Sequence, residues 1–591
     1  MQPFLSSAQT AARLKQALGR HAEGRLREAL TLYQQVIGND PGNFDALHGI
    51  GILYGQWGEY EKALRFIAAA GAVKPGDFSV HYNRGKALHE LERLEEALSS
   101  YDRVLALRPG YVPAYNNRGN VLKDLGRYEE ALANYDRALS IKPDYVDAHN
   151  NRGNVLQDLR RYEDAIASYD AAIRLKADCA EAYYNLGNAL KELDRDEEVL
   201  EAYDKAISLR PDYAEAYCNR GLVLHRLQRC DEALGCYDKA VVLKPDYAEA
   251  YYNRGNVLKD LRRYQDAVAN FDRAIALRPE EVGAHFNKAL VKLLLGDYET
   301  GWLLHEWRWK TEQHRDFLRD FKQDLWLGDR PVAGRRILLH AEQGLGDVIQ
   351  YARYAPMVAA LGATTILEAP SPLVPLLETL AGAVTVMAAG TALPEFDLHC
   401  PLASLPLAFK TTVAAIPAEI PYLAADGQRR SAWRARLGSR RQPRVGLAWS
   451  GNPRHRNDRN RSISLRTLKP LLGLDYEYHS LQKGLRDDDQ TDLAQCPDIR
   501  NHETELRDFA DTAALVAELD LVITVDTSVA HLAGALGKEV WILLPYVADY
   551  RWMTERSDSP WYPSARLFRQ HARGDWTGVI AEIHSRLKAG S

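Results

Sequence analysis

A glycine recurs every 34 residues through about half of this 591-residue chain. The series consists of Gly51, Gly85, Gly119, Gly153, Gly187, Gly221 and Gly255, and Ala289 takes the next step. A series of prolines from Pro41 to Pro279, broken only at Ala177, and a series of small residues that begins at Ala29 have the same period. No insertion breaks the register. A period of this length predicts a tandem array of helical hairpins.

The small residues and the prolines each have a mechanical role in such a hairpin. Two helices approach closely only where neither carries a large side chain, and proline ends the second helix because it lacks an N–H donor. Stacked hairpins bury a continuous core and form a superhelix with a concave groove. The units resemble the tetratricopeptide repeat, for example AYNNRGNVLKDLGRYEEALANYDRALSIKP at residues 114–143. We therefore expect an α solenoid with capping helices over residues 8–311.

An asparagine stands two residues before every member of the first series from Gly85 to Ala289. The series is Asn83, Asn117, Asn151, Asn185, Asn219, Asn253 and Asn287. In the tetratricopeptide family this position lies on the helix that lines the concave side, and an amide both donates to and accepts from a peptide backbone. A similar ladder lies inside the repeat superhelix of the O-linked N-acetylglucosamine transferases, where it holds protein acceptors. The resemblance, over about residues 45–290, implies a protein or peptide acceptor in the groove. The alternative is that asparagine belongs to the repeat consensus.

The composition is that of an ordinary globular protein, with 46% apolar and 26% charged residues. A net charge of −5 argues against a nucleic-acid partner. The N-terminal residues lack the apolar core of a signal peptide, and no run reaches the roughly 18 apolar residues of a membrane span. The six cysteines form no CxxC pair. We therefore expect a cytoplasmic protein with reduced, buried thiols and no membrane span.

The periodicity changes after the repeats. Residues 312–334 form a polar connector, and from residue 335 short apolar runs alternate with helical stretches. The runs are RILLHA, TTILEA, VTVMAA, RVGLAWS, YEYHSLQ, LVITV and VWILLP. They predict an α/β region of two Rossmann-type lobes, residues 335–430 and 431–591, with a ligand cleft at the carboxyl ends of the strands.

The first of these lobes opens with a strand that leads directly into EQGLGD at residues 342–347 and then into a helix. Gly344 and Gly346 allow a tight turn and a close approach of the backbone to a ligand. Asp347 is a candidate catalytic carboxylate near the N-terminus of the helix. The structural alternative is that its carboxylate caps that helix, and the two roles are compatible.

In the second lobe a buried strand leads into VDTSVAHLAGALG at residues 525–537. The N–H groups of Thr527, Ser528 and Val529 are expected to point, with the positive end of the helix dipole, at a diphosphate. The hydroxyl groups of the first two residues add donors.

Together the two segments resemble glycosyltransferases of the GT-B fold, in particular the bacterial heptosyltransferase-like family, over about residues 335–591. The resemblance implies that Asp347 is the general base. It also implies that the diphosphate lies on the turn of Asp526, Thr527 and Ser528, and that His531 matches the histidine of the family.

The chain departs from this family after the first strand of the second lobe. The family usually has a lysine there, whereas this chain has SGNPRHRNDRNR at residues 450–461. Arg456 and Arg461 are our candidates for the anionic ligand, because guanidinium groups bind such ligands bidentately. A solvated loop is the alternative.

A peptide groove joined to a sugar-transfer cleft predicts a glycosyltransferase that moves a sugar from a nucleotide-diphosphate donor to a protein acceptor. The acceptor hydroxyl would lose its proton to Asp347, and the diphosphate charge would be stabilised by arginines and amides, without a metal ion. Gln482 and Lys483, after the strand YEYHSL, are candidates for the base or ribose of the donor. No cofactor besides the nucleotide sugar is expected. The alternatives are transfer to a lipopolysaccharide or lipid-linked glycan, and a non-catalytic repeat scaffold.

Overall fold

The computed structural model of the chain describes residues 6–342, 344–454 and 457–590. Its contacts divide the chain into two compact units, Met1–Pro245 and Asp246–Ser591. The second unit contains the last repeats together with two sheets. The division therefore falls inside the repeat series, because the last repeat helices pack on the sheet region. The sequence had placed the change of domain later, at the connector.

The first unit consists of antiparallel helix pairs, one pair for each repeat. Its helices are α1 (Ser7–Ala22), α2 (Leu26–Asn39), α3 (Phe44–Gln56), α4 (Tyr60–Val73), α5 (Phe78–Glu90), α6 (Leu94–Leu107), α7 (Val112–Asp124), α8 (Tyr128–Ile141), α9 (Val146–Asp158), α10 (Tyr162–Leu175), α11 (Ala180–Lys191), α12 (Asp196–Leu209), α13 (Ala214–Arg226) and α14 (Cys230–Leu243). The first helix of a pair ends in a left-handed residue that closes the helix terminus. These residues are Gly24, Gly58, Glu92, Gly126, Arg160, Asp194 and Gln228, with φ from 54° to 75°.

From Gly85 to Gly221, the repeating glycines lie against tyrosine rings on the second helix of the same hairpin. A Cβ built on Gly153 would stand 2.5 Å from Cε1 of Tyr169, and one on Gly187 would stand 2.6 Å from Cε1 of Tyr203. Both rings are fully buried. The other repeating glycines with this contact form the pairs Gly85–Tyr101, Gly119–Tyr135 and Gly221–Tyr237. The two helices of a hairpin therefore approach to a distance that only a residue without a side chain permits.

The second unit begins with two further helix pairs. They are α15 (Ala248–Asp260), α16 (Tyr264–Leu277), α17 (Val282–Leu294) and α18 (Tyr298–His305), followed by a 3-10 helix at Glu306–Lys310 and by α19 (Glu312–Arg315). The turn between α15 and α16 contains Arg262 in the left-handed conformation, with a φ of 61°.

A buried ion pair joins these helices to the sheet region. Arg308 donates from Nε and Nη2 to the two carboxylate oxygens of Glu342, each at 3.0 Å, and from Nη2 to Oγ of Ser404 at 2.7 Å. Burial opposes the charge of Arg308, but Glu342 and Glu306 outweigh this effect and raise its pKa. Since removing one partner of such a pair leaves an uncompensated buried charge, the pair fixes the position of the last repeats.

The first sheet has five parallel strands within the described residues, in the order β1-β5-β2-β3-β4. They are β1 (Asp324–Leu325), β2 (Arg336–His340), β3 (Thr364–Ala369), β4 (Val384–Ala388) and β5 (Leu398–Pro401). The helices between these strands and after them are α20 (Leu345–Tyr351), α21 (Ala355–Ala360), α22 (Val374–Leu377) and α23 (Leu405–Ala408).

The second sheet has six parallel strands among the described residues, in the order β11-β10-β9-β6-β7-β8. They are β6 (Arg444–Ala448), β7 (Glu477–Ser480), β8 (Ile499–Asn501), β9 (Leu521–Val525), β10 (Val540–Leu544) and β11 (Ala565–Arg569). The accompanying helices are α24 (Gly427–Leu437), α25 (Asp458–Arg461), α26 (Leu465–Leu468), α27 (Asp487–Ala494), α28 (Phe509–Ala517), α29 (Ser528–Ala535) and α30 (Thr577–Lys588).

All seven apolar runs singled out in the sequence contain strands. The parallel sheets agree with the predicted α/β architecture. The connector differs from the prediction, because it contributes α19 and the edge strand β1. A strand of two residues is too short to produce a recognisable periodicity.

We predict that Gly153→Ala lowers the stability of the repeats. The new Cβ meets the buried ring of Tyr169 in a close-packed hairpin, and overpacking of this kind costs about 1–3 kcal/mol, which exceeds the gain of up to about 1 kcal/mol in helix propensity. Thermal unfolding of the full chain followed by circular dichroism measures the change. Gly235→Ala is the matched control, because an added Cβ there meets no atom within 4 Å. A Gly153→Ala protein as stable as this control would contradict the prediction.

Candidate functional site

The two loops that the sequence singled out meet where α20 packs against α29. A Cβ built on Gly346 would stand 2.8 Å from Cδ2 of His531 and 3.4 Å from the Cα atom of Ser528. Gly346 therefore permits the contact between the two helices. Gly344 stands at the N-cap of α20. A Cβ built on it would stand 3.2 Å from a carboxylate oxygen of Asp347.

Asp347 is in the first turn of α20, where its carboxylate accepts a hydrogen bond from the guanidinium of Arg551. The helix-capping alternative is not what is observed, since no backbone N–H donates to this carboxylate among the described residues. Arg551 also donates from Nε to Oε1 of Gln350 at 2.6 Å and from Nη1 to Oδ1 of Asp549 at 2.7 Å. One guanidinium thus joins α20 to the loop after β10.

Sequence reasoning missed Arg551 as a member of the candidate site. The residue is 8% exposed. Burial acts against its charge, but the surrounding carboxylates, Asp549 first and then Asp347, raise its pKa well above the ordinary value. Its position after a strand of the second sheet was the available signal, because ligand crevices in parallel sheets form at the carboxyl ends of strands.

The turn after β9 presents backbone donors. Thr527 is the N-cap of α29 in an extended conformation, and its side chain caps nothing. Within the described residues, no acceptor takes a hydrogen bond from the N–H groups of Thr527, Ser528 or Val529. The hydroxyl group of Thr527 lies 3.2 Å from that of Thr524. The start of this helix therefore has free donors and a positive dipole end, which together attract an anion.

Asp526, at the beginning of this turn, has a raised pKa. Burial and the nearby carboxylate of Asp549 raise its pKa to about 6, although Arg551 and Arg461 act in the opposite direction. A carboxyl group of this kind is partly protonated in the range where proton transfer is useful to an enzyme.

His531 lies beneath the contact between α20 and α29 and is buried. Its Nδ1 is 2.9 Å from the hydroxyl group of Tyr562, and its ring stacks on that of Trp552. Burial, followed by the charges of nearby arginines, lowers the pKa of His531 well below its ordinary value. The lowered pKa favours the neutral imidazole, and its contacts are the hydrogen bond to Tyr562 and the stacking on Trp552.

Arg461 lies beside the turn after β9. Its Nη1 donates to the backbone carbonyl of Asp526 at 3.1 Å, and its Nη2 would be 2.8 Å from a Cβ on Gly451. The structure thus brings this arginine to the predicted anion site. Arg456, the other predicted arginine, lies outside the described residues.

Gln482 and Lys483 are both engaged with the backbone. Oε1 of Gln482 accepts from the N–H groups of Trp449 at 3.2 Å and Ser450 at 3.1 Å, and its Nε2 donates to the Ser450 carbonyl at 3.1 Å. The ammonium group of Lys483 donates to the carbonyls of residues 506 and 507. Gln482 therefore ties the end of β7 to the end of β6.

The asparagine ladder of the first unit makes contacts between repeats. Each Nδ2 donates to a side chain on the first helix of the preceding repeat, always at the same repeat position. The pairs are Asn83–His48, Asn117–Tyr82, Asn151–Asn116, Asn185–Asn150 and Asn219–Tyr184, at 2.9–3.2 Å. The amide nitrogens therefore stabilise the stacking of repeats, as the consensus alternative would require.

A second row of asparagines, Asn120, Asn154 and Asn188, extends this network. Asn154 accepts from the hydroxyl group of Tyr169 at 2.8 Å and from Nδ2 of Asn185 at 3.0 Å, and Asn188 has the same pair of contacts with Tyr203 and Asn219. The Oδ1 atoms of Asn151, Asn185 and Asn219 accept no hydrogen bond, and Nδ2 of Asn120, Asn154 and Asn188 donates none, to any described residue. The ladder thus retains rows of acceptors and donors on half-buried side chains.

The second unit carries the last two members of the ladder. Asn253 is buried. Asn287 donates to the Tyr252 hydroxyl at 3.2 Å and accepts from Nζ of Lys259 at 3.2 Å. Asn287 belongs to α17, which packs against the 3-10 helix Tyr550–Trp552 that carries Arg551. The end of the ladder is therefore one helix contact away from the Asp347–Arg551 pair.

The described residues contain no group of three or more His, Cys, Asp or Glu side chains that could hold a metal ion. Across residues 6–342, 344–454 and 457–590, every helix is too short or too polar to cross a membrane. Five of the six cysteines are buried and Cys179 is half-buried.

Comparison with known protein families identifies the repeats. Residues 85–125, 119–160, 158–194, 188–228 and 226–261 match the family described as TPR repeat, and residues 20–87 and 248–281 match two families described as tetratricopeptide repeat. The predicted tetratricopeptide repeats are thereby confirmed.

Individual relatives match parts of the chain. Protein FlbA of Caulobacter vibrioides is 27% identical over 327 residues, which is 51% of this chain and 54% of FlbA. The chain thus spans about half the length of this curated relative. Among solved structures, YrrB, described as a TPR protein with an unusual peptide-binding site, is 26% identical and covers 33% of this chain and 100% of its own, with a TM-score of 0.29. MamA is 29% identical and covers 28% of this chain and 95% of its own, with a TM-score of 0.27.

We predict that Asp526→Asn changes the pH dependence of stability. The folded pKa of about 6 lies above the ordinary 3.8, so the folded protein binds this proton more tightly than the unfolded chain does, and stability falls as the pH rises from about 4 to 6. An asparagine side chain does not titrate in this range, so the variant lacks this loss of stability. The stability of the variant relative to the parent should therefore be greater at pH 8 than at pH 5, by at most about 2 kcal/mol.

Denaturant unfolding at the two pH values measures this difference. Glu378→Gln, at an exposed carboxylate of the same unit, is the control and should leave the pH dependence unchanged. A relative stability of Asp526→Asn that is equal at both pH values, or smaller at pH 8, would show that Asp526 is an ordinary carboxylate.

Proposed function

We propose that this protein is a glycosyltransferase that moves a sugar from a nucleotide-diphosphate donor to a protein acceptor bound along the tetratricopeptide groove. The observation that carries the proposal is a chain of contacts in the second unit. The last ladder helix packs on the 3-10 helix at residues 550–552, Arg551 of that helix holds Asp347, and α20 meets the turn at residues 526–529. The end of the ladder, the carboxylate of Asp347 and the turn after β9 are thus linked by contacts within the second unit.

The donor side of the proposal rests on the turn after β9. Its free N–H groups lie at the positive end of α29, and Arg461 reaches the same turn. A diphosphate on these donors would place its charge where the helix dipole and a guanidinium stabilise it. These interactions strengthen as the sugar–phosphate bond breaks, because the leaving diphosphate gains charge.

The reaction proposed here needs one proton acceptor. The oxygen of the acceptor hydroxyl forms a bond to the anomeric carbon, the bond from that carbon to the diphosphate breaks, and Asp347 takes the hydroxyl proton. The carboxylate of Asp347 accepts a hydrogen bond from Arg551. We assign Arg551 the role of orienting this carboxylate, since the same guanidinium is fixed by Gln350 and Asp549.

The acceptor side of the proposal rests on the ladder. Its Nδ2 atoms hold adjacent repeats together, which leaves Oδ1 of Asn151, Asn185 and Asn219 to bind an extended peptide. The Nδ2 atoms of Asn120, Asn154 and Asn188 are available in the same way. Paired acceptors and donors match the N–H and C=O groups of a peptide backbone without regard to sequence. Transfer to a lipopolysaccharide or lipid-linked glycan, and a scaffold without turnover, are the competing functions. The scaffold is consistent with the confirmed repeats alone.

We predict that a nucleoside diphosphate stabilises the protein. A ligand that binds only the folded state adds about 2.7 kcal/mol at a hundred times its dissociation constant. Thermal unfolding with ADP, GDP, UDP, CDP and dTDP identifies the nucleotide. Arg461→Ala should weaken this binding about tenfold or more, because it removes a charge-assisted hydrogen bond. Arg459→Ala, at an exposed arginine of the same helix, should not. If no nucleotide raises the unfolding temperature, the scaffold is the better description.

We predict that Asp347→Asn abolishes sugar transfer without preventing donor binding. Removal of a general base slows transfer by about a hundredfold or more, whereas the turn after β9 is unchanged. Mass spectrometry of proteins from cells that produce the parent or the variant measures transfer, and thermal unfolding with the nucleotide measures binding. Glu378→Gln is the control. Undiminished modification by Asp347→Asn would remove this residue as the base, and sugar found on lipid instead of protein would favour the competing enzyme.

A further inference from the structure

Four cationic residues lie on α15, on the turn after it and at the end of β11 and just beyond, and the charges of two of them, Arg262 and Arg569, act on each other. These residues, Lys259, Arg262, Arg569 and Arg573, are called the basic cluster here. The guanidinium of Arg262 lies over the ring of Tyr546, 5.1 Å from its centre. Arg573 donates to the backbone carbonyl of Asp260 at 3.0 Å. Burial raises the pKa of the Tyr264 hydroxyl, and Arg262 and Arg569 both act in the opposite direction, so both arginines lie near this phenol.

The basic cluster carries more positive charge than the described residues around it neutralise. The carboxylate of Asp260 lies 3.9 Å from Arg573. Among the described residues, Lys259, Arg262 and Arg569 form no ion pair. Burial, followed by the charge of Arg262, lowers the pKa of Arg569 to about 10. Half-buried guanidinium groups without a partner carboxylate favour the binding of an anion, because an anion restores the electrostatic compensation that burial requires.

The basic cluster also adjoins both parts of the proposed site. Lys259 donates to Oδ1 of Asn287, the last amide of the ladder. Tyr546, on which Arg262 lies, belongs to the loop after β10 that leads to Arg551. A polypeptide that leaves the end of the ladder toward Asp347 therefore meets these cations.

We propose that the basic cluster binds acidic side chains of the acceptor polypeptide next to the segment that is modified. Guanidinium groups match carboxylates in a bidentate geometry, and a lysine adds a flexible third contact. A polypeptide is favoured over a nucleic acid because the chain as a whole has a net charge of −5 and the adjoining ladder offers amides suited to a peptide backbone. The polypeptide nature of the ligand rests on the proposed function, and the acidic preference is new.

The test replaces residues of the basic cluster with residues that occupy the same repeat positions elsewhere in the chain. Arg262→Gln keeps the left-handed turn, because Gln228 occupies the same repeat position with a φ of 62°. Lys259→Gln likewise copies Gln157 of an earlier repeat. Arg263→Gln is the control, since Arg263 is exposed and pairs with Asp266 at 2.7 Å on the surface. The probes are a fluorescein-labelled peptide of serine, threonine and glutamate, and its counterpart with glutamine in place of every glutamate.

Fluorescence anisotropy with the full chain should show that the glutamate peptide binds about tenfold more tightly than the glutamine peptide, as expected for a few partly exposed ion pairs. The Arg262→Gln, Lys259→Gln double variant should lose this preference, and Arg263→Gln should keep it. Stabilisation by the nucleoside diphosphate should be unchanged in the double variant.

Equal binding of the two peptides, or a preference that persists in the double variant, would overturn the inference. Weaker nucleotide binding by the double variant would also overturn it, because the cations would then belong to the donor site. These outcomes are distinct from failure of the proposed transfer, which is measured with the nucleotide and with Asp347→Asn. The peptide preference can therefore hold in a protein that transfers no sugar.

Discussion

Several helix contacts in this protein leave no room for a Cβ atom. In the repeats, Gly153 lies against the ring of Tyr169, and in the sheet region Gly346 lies against His531. The first contact also determines the polar network, because the Tyr169 hydroxyl donates to Asn154, which in turn accepts from Asn185 of the next repeat. Helix packing within one hairpin thus determines how the next hairpin is attached, and packing of α20 on α29 determines where Asp347 stands.

The sequence alone predicted those parts of the fold in which a pattern repeats or a strand is buried on both faces. The hairpins follow from the 34-residue period, and β2, β6, β9 and β10 follow from continuous apolar runs. The strands β5, β8 and β11 were not predicted, since polar or proline residues interrupt them and β8 has only three residues. Their existence depends on neighbouring strands, which a local pattern does not contain.

The candidate site also depends on contacts that a local sequence pattern does not contain. Gly346 and the turn after β9 were recognised because local motifs carry them. Arg551 was not, since its partners Asp347 and Gln350 are about two hundred positions away in the chain. Gln482 was assigned to the donor from its place after a strand, yet its amide is used by the backbone at residues 449 and 450. Position at a strand end therefore predicts proximity to the site but does not tell which polar groups remain free.

The charges of the site explain why Asp526 differs from the other carboxylates. Asp347 and Asp549 share the guanidinium of Arg551, and Arg461 reaches only the backbone carbonyl of Asp526. Asp526 is thus half-buried beside a like charge without a guanidinium on its own carboxylate, and its pKa rises as desolvation and like-charge repulsion require. A diphosphate on the adjacent amides would add further negative charge. Binding of such a donor would therefore favour the protonated form of Asp526, so that donor binding and proton uptake are linked by one electrostatic cause.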